Sequence, residues 1–158
     1  MKKILFDSGV QEFDVNGHPL RFNPSDPNVY QRFFEARTRI ERLGDEYTAK
    51  LPQGAAQAET AEVTTAGFSL EKSLDFMRNI DKQIKGQLQY VFGESNDFDV
   101  IFDGVNLMAP NLSGRMVITD FFAAIEPVIR DGFERYAKSQ KAEALRAAKQ
   151  SREARGER

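Results

Sequence analysis

The chain has 158 residues, enough for one domain with a core of ordinary size, and 41% of them are hydrophobic. Charged residues make up 29%, mean hydropathy is −0.52 and the formal net charge is −2, so no global field argues for nucleic acid. The absence of cysteine excludes disulfides, thiolate catalysis and thiolate zinc sites.

The start, Met1-Lys-Lys-Ile-Leu-Phe6, resembles the opening of a secretion signal, but Asp7 and Ser8 interrupt the apolar run too early. No run approaches the roughly 20 apolar residues that span a bilayer. These features predict a soluble cytosolic protein with no membrane contact. Aromatic content is dominated by 13 Phe with no Trp, a composition for packing and contact surfaces.

Lys3–Phe6 reads as a short strand. Glu12–Val15 and His18–Phe22 alternate polar and apolar residues around Asn16-Gly17. Both turn residues tolerate positive φ, so the stretch 11–22 predicts a β-hairpin, with Pro19 on an edge strand. In Asn23-Pro-Ser-Asp-Pro27, Asp26 suits a helix N-cap and Pro27 the first helical position. Val29, Tyr30, Phe33, Phe34, Ile40, Leu43 and Tyr47 follow at helical spacing, predicting a helix over about 27–50.

The stretch 52–67 has almost no large apolar side chain and reads as a flexible linker. Ser69–Gly93 predicts the next helix. Leu70, Leu74, Met77, Ile84, Leu88 and Val91 form its apolar stripe, Ser69 can cap its start and Gly93 can end it. Gly86 inside this helix costs roughly 1 kcal/mol relative to Ala, which a close helix crossing would explain. The loop 94–104 carries Phe98, Val100, Ile101 and Phe102, which would dock it on the helices, with a short extended segment. An irregular stretch, 105–114, follows.

A third helix is expected from Val117 or Thr119, capped by Thr119 or Ser113, with Ile118, Phe121, Phe122, Ile125, Val128, Ile129, Phe133 and Tyr136 at helical spacing. Pro127 lies inside it and predicts a kink near 123–126. Beyond Ala137 the apolar stripe fades to Leu145. Residues 138–158 hold seven basic and three acidic side chains, a local balance of +4 that leaves about −6 for the rest. The reading is a mainly α fold: a single helical domain over 1–136 with an N-terminal β-hairpin, then a charged tail over 137–158, helical or partly disordered.

Few residues offer chemistry. Asp97, Asp99 and Asp103 fail the EF-hand pattern, because its later ligand positions fall on Ile101 and Met108. His18 is the only histidine, and no Ser or Asp motif points to it, so it reads as a surface turn residue. The glycines match neither a phosphate loop nor a dinucleotide fingerprint. No catalytic, cofactor or metal site is expected. The basic tail could meet phosphates or an acidic protein, or simply be solvated; interleaved Glu143, Glu153 and Glu157 and the lack of aromatics disfavour nucleic acid. Phe33-Phe34 and Phe121-Phe122 are more informative. Adjacent helical residues lie about 100° apart, so each pair broadens an apolar face toward either the core or a partner.

Several stretches together resemble the tail assembly chaperones of long, non-contractile-tailed phages, of the type found in phages of Gram-positive bacteria. They are the hairpin Phe13-Asp-Val-Asn-Gly-His18 with its turn into a Phe-rich helix, Tyr90-Val-Phe-Gly-Glu94, Ile101-Phe-Asp-Gly-Val-Asn106, and the Phe-rich helix Thr119–Tyr136 with its charged tail. The 52–67 insertion and Pro127 depart from the pattern. The resemblance implies a non-enzymatic protein of the bacterial host cytoplasm. It would bind the tape-measure protein, keep it soluble until the tail tube assembles, and self-associate. For such a coat, face width selects Phe121, Phe122, Ile125 and Ile129 as partner contacts, with Phe33 and Phe34 second. The competing readings are a structural tail-completion or head–tail joining protein and a nucleic-acid-binding accessory protein using the basic tail.

Ile84→Asp would bury an unpaired charge and cost on the order of 4 kcal/mol, enough to unfold the domain. Circular dichroism and thermal melting measure this; a helical variant of unchanged stability would show that the face is not core.

Overall fold

The computed structural model describes residues 1–50 and 63–156. Its elements in order are β1 (Gln11–Val15), β2 (His18–Phe22), α1 (Pro27–Lys50), α2 (Val63–Phe92), α3 (Phe98–Ile101) and α4 (Val117–Ala154). The protein is mainly helical, with a two-stranded N-terminal hairpin and a long C-terminal helix.

Local signals explain the hairpin and the start of α1. Asn16 and Gly17 both take positive φ, 52° and 92°, as a tight two-residue turn requires. The register pairs Phe13 with Leu20 and Asp14 with Pro19. Phe13, Val15, Leu20 and Phe22 form the inner face, where the Phe13 and Phe22 rings stack at 4.9 Å. At the turn into α1, the Asp26 carboxylate accepts the Asn28 N–H at 2.9 Å and Pro27 opens the helix.

Helix α1 runs antiparallel to α2: Glu35 meets Tyr90, Arg39 meets Gln87, and Tyr47 stacks near Phe76. Ile80, Ile84 and Leu88 are fully buried between them, and Val91 and Phe92 nearly so. Ile80 was absent from the stripe read off the sequence. The N-terminal half of that stripe behaves differently: Leu70 and Leu74 are 58% and 48% exposed. Leu70 is in phase with Met77, Ile84 and Val91, yet it is exposed where Ile84 and Val91 are buried and Met77 half-buried. Helix α2 also starts earlier than expected, so Ser69 lies within it rather than at its cap. The linker expected at 52–67 falls largely outside the described residues, and its end, 63–67, is helical. Gly93 ends α2 with φ 105°.

Other expectations change in detail. Residues 3–6 form no strand, because no neighbouring strand pairs with them. The segment expected to be extended around 98–102 is instead the single helical turn α3. Asp97 caps it, accepting the N–H groups of Asp99 and Val100, so that Phe98 and Ile101 point inward. Helix α4 starts at Val117 with no side-chain cap: neither Thr119 nor Ser113 serves, and Asn111 instead gathers the loop by accepting from Ser113 and Arg115. Helix α4 continues through Pro127 and through the charged tail as one element of 38 residues, about 57 Å at 1.5 Å per residue. Beyond Tyr136 its described side chains are exposed except for the half-buried Ala142.

Two helical glycines have opposite surroundings. Gly86 is exposed, and a Cβ there would meet nothing within 4 Å, so no close crossing explains it. Gly132 is buried, and a Cβ there would lie 1.7 Å from the Pro24 carbonyl oxygen. The turn before α1 therefore seats directly on α4. Gly132→Ala should destabilise by about 2 kcal/mol or more despite alanine's better helix propensity, whereas Gly86→Ala should stabilise by about 1 kcal/mol. Urea denaturation of both variants checks the opposite signs.

Candidate partner-binding surface

The six residues selected from face width separate by exposure. Phe33, Phe121, Ile125 and Ile129 are buried at 1–7%. Phe122 is half-buried and Phe34 is 47% exposed. The breadth of an apolar face on one helix does not reveal how much of it neighbouring elements cover. Here Phe121 is enclosed by Phe92 and Phe102, with ring centroids at 6.4 and 5.1 Å, and it serves the core. All four are packed into the core, so a partner could reach them only by opening the fold.

Phe34 and Phe122 lie at the seam where α1 runs antiparallel to α4, joined through buried Phe33, whose ring is 5.8 Å from each. From Phe34 the aromatic contacts continue outward. Tyr30 is 4.8 Å from Phe34 and stacks at 4.2 Å on Phe133, which in turn is 6.2 Å from Tyr136. Phe133 is 38% exposed, and Tyr30 and Tyr136 are half-buried. The result is an aromatic ladder reaching solvent along the seam. Phe133 and Tyr136, three residues apart on one helix, are neighbours by helical spacing, whereas the contact of Tyr30 with Phe133 exists only through the packing of α1 on α4.

On the other side of Phe122 the seam opens into a groove of about 480 Å³. Its walls include Ile40 and Gly44 of α1, Met108 and Met116 of the intervening loop, and Phe122 of α4. Methionine side chains suit such a wall, because they adapt to irregular apolar partners. Charge lines the rim. Arg37 lies 3.6 Å from Glu41 and 3.7 Å from Glu126, linking α1 to α4.

The groove's loop wall is held from below by α2. Asp81 accepts the Leu107 N–H at 2.7 Å and pairs with Lys85 at 2.8 Å. Asn106 donates to the Met77 carbonyl, and Leu107 is fully buried. Lys85 also reaches Asp99 at 2.8 Å, tying α2 to α3. Burial disfavours the Lys85 ammonium, but hydrogen bonds to Asp81 and Asp99 and their charges outweigh it and raise its pKa above the ordinary lysine value. That contribution is therefore present at neutral pH. It is lost only as pH rises through the folded pKa, above the ordinary value of about 10.4.

The acidic loop is likewise structural: Asp97 caps α3, Asp99 pairs with Lys85, and Asp103 lies 2.7 Å from His18 Nε2. His18 therefore joins the hairpin to the loop after α3, a role its lone position in the sequence did not suggest. Among the described residues, no group of three or more His, Cys, Asp or Glu could hold a metal ion, and no helix is long and apolar enough to cross a membrane. At the α1–α2 seam the Tyr90 hydroxyl and Gln31 amide donate to Glu35, which with Arg39 and Arg32 nearby holds its carboxyl below the usual range.

No family model matches the chain, and neither curated proteins nor solved structures include a significant match.

The support beneath the groove can be tested by contrast. Asp81→Ala leaves Lys85 buried and the Leu107 N–H unpaired, and should cost roughly 2–4 kcal/mol. Asp99→Ala removes a 76% exposed partner and should cost less than about 1 kcal/mol. Chemical denaturation distinguishes them; equal costs would mean that Asp81 does not anchor the loop.

Proposed function

We propose that the protein is a non-enzymatic assembly chaperone of a long-tailed phage, acting in the host cytoplasm, that binds the helical tape-measure protein and keeps it soluble until the tail tube assembles. The observation that carries this reading is the solvent-reaching aromatic ladder Tyr30–Phe34–Phe133–Tyr136, continuous through Phe33 with the methionine-walled groove. An apolar strip of this kind, bordered by Arg37, Glu41 and Glu126, suits the apolar face of an amphipathic helix. The resemblance of the hairpin, of Tyr90–Glu94, of Ile101–Asn106 and of Thr119–Tyr136 to phage tail assembly chaperones names the client.

The contact set is accordingly Phe34, Phe122, Tyr30 and Phe133, with the exposed Met116 on the groove wall. The client would be held by shape and apolar contact, an interaction moderate enough to be displaced when tube protein adds.

Co-expression with the tape-measure protein tests the proposal. The client should stay in the soluble fraction with the wild-type chain and precipitate with a Phe34→Glu, Phe133→Glu variant whose own melting temperature stays close to that of the wild type. A client equally insoluble with and without the wild-type chain would overturn the reading, as would finding this protein as a stoichiometric component of purified virions.

A further inference from the structure

The hairpin has two edges, and only one is closed. Pro19 has no N–H, so the Asp14–Pro19 pair lies between the hydrogen-bonded rungs, and the backbone groups of Glu12, Asp14, Pro19 and Arg21 point away from the hairpin. On β2, the Asn96 side chain takes both outward groups of Arg21, accepting its N–H at 2.8 Å and donating to its carbonyl at 2.9 Å. Helix α3 packs beside that strand. Among the described elements nothing comparable packs against β1, which leaves the outward groups of Glu12 and Asp14 on an open edge.

The same chain exposes an unused strand. Ile4, Leu5 and Phe6 are 86%, 88% and 80% exposed. Their base is fixed. The Asp7 carboxylate accepts the Gly9 N–H at 2.8 Å, Asn23 donates to the Ser8 carbonyl at 3.1 Å, and Gly9 takes φ 74° against the Asn23 side chain. Asn23 follows β2, so this anchor starts the arm at the end of β2 rather than beside the open edge of its own β1.

We infer that the arm Lys3–Phe6 adds as a strand to the open β1 edge of a second copy of this chain, and that the two copies exchange arms reciprocally. The pairing satisfies strand alternation. With Ile4 and Phe6 turned to the side of Phe13 and Val15, they extend the inner apolar face. Lys3 and Leu5 then lie on the side of exposed Glu12 and Asp14, where Lys3 brings a positive charge to this acidic edge. Main-chain hydrogen bonds supply the attachment and the apolar residues the register, as in other strand additions. A reciprocal exchange closes as an isologous pair rather than an open fibre. This inference is independent of the client proposed above.

The chain has no cysteine, so introduced ones report alone. Chains carrying Leu5→Cys, mixed with chains carrying Glu12→Cys and oxidised, should give a disulfide-linked heterodimer. By sedimentation the wild type should be a dimer at micromolar concentration, and removal of residues 1–6 should leave a monomer of unchanged melting temperature. Glu12→Pro should do the same, because that N–H faces outward and its loss spares the β1–β2 ladder. A monomeric wild type, a dimer that survives loss of the arm, or a disulfide formed only within single chains carrying both cysteines would overturn the inference.

Discussion

The buried Asn96 amide is the constraint on which the arrangement of the other elements depends. It is 3% exposed, yet every polar atom of its side chain is used: Oδ1 accepts the Arg21 N–H, and Nδ2 donates to the carbonyls of Arg21 and Phe92. One side chain thus replaces a neighbouring strand for β2 and closes the last turn of α2. Only an amide offers both an acceptor and donors in this geometry, and a buried mismatch would leave main-chain groups unpaired at a cost of about 1–3 kcal/mol each. The orientation of the hairpin follows, and with it the asymmetry between a closed β2 edge and an open β1 edge.

Helix α2 then serves as the axis for everything else. Its Ile80, Ile84, Leu88 and Val91 carry the core, while Asp81 and Lys85, one position beyond Ile80 and Ile84, carry polar clips to the loop at 107 and to α3. Apolar burial supplies most of the stability but has no direction. The ion pair and hydrogen bonds supply direction, fixing where Leu107 and Met108 sit and so shaping one wall of the groove under the α1–α4 seam.

The phenylalanines divide along the same lines. In Phe33-Phe34 and Phe121-Phe122 the rotation between neighbours sends the first residue into the core and leaves the second at the seam. Phe33, touching both Phe34 and Phe122, makes the exposed ladder an extension of the core rather than a set of isolated surface rings. Such a surface is rigid from beneath, which lowers the ordering cost of receiving a partner.

The sequence by itself determined the elements whose cause is local. Asn16-Gly17 specifies the hairpin turn, Asp26-Pro27 the start of α1, Gly93 the end of α2, and helical periodicity the existence of three long helices. The seam residues were partly legible, since Phe34 and Phe122 stand out as second members of aromatic pairs, but their buried neighbours stand out equally. Tertiary structure alone decided which positions on each stripe are covered: Leu70 and Ile84 share a face, yet only Ile84 has a partner above it. It alone decided that Asn96 meets Arg21, His18 meets Asp103, and the Pro24 carbonyl packs where a side chain at Gly132 would lie. The physical reason is range. Capping, turn conformation and periodicity act within a few residues, whereas coverage and polar pairing join residues 75 and 85 positions apart and exist only once the chain has closed on itself.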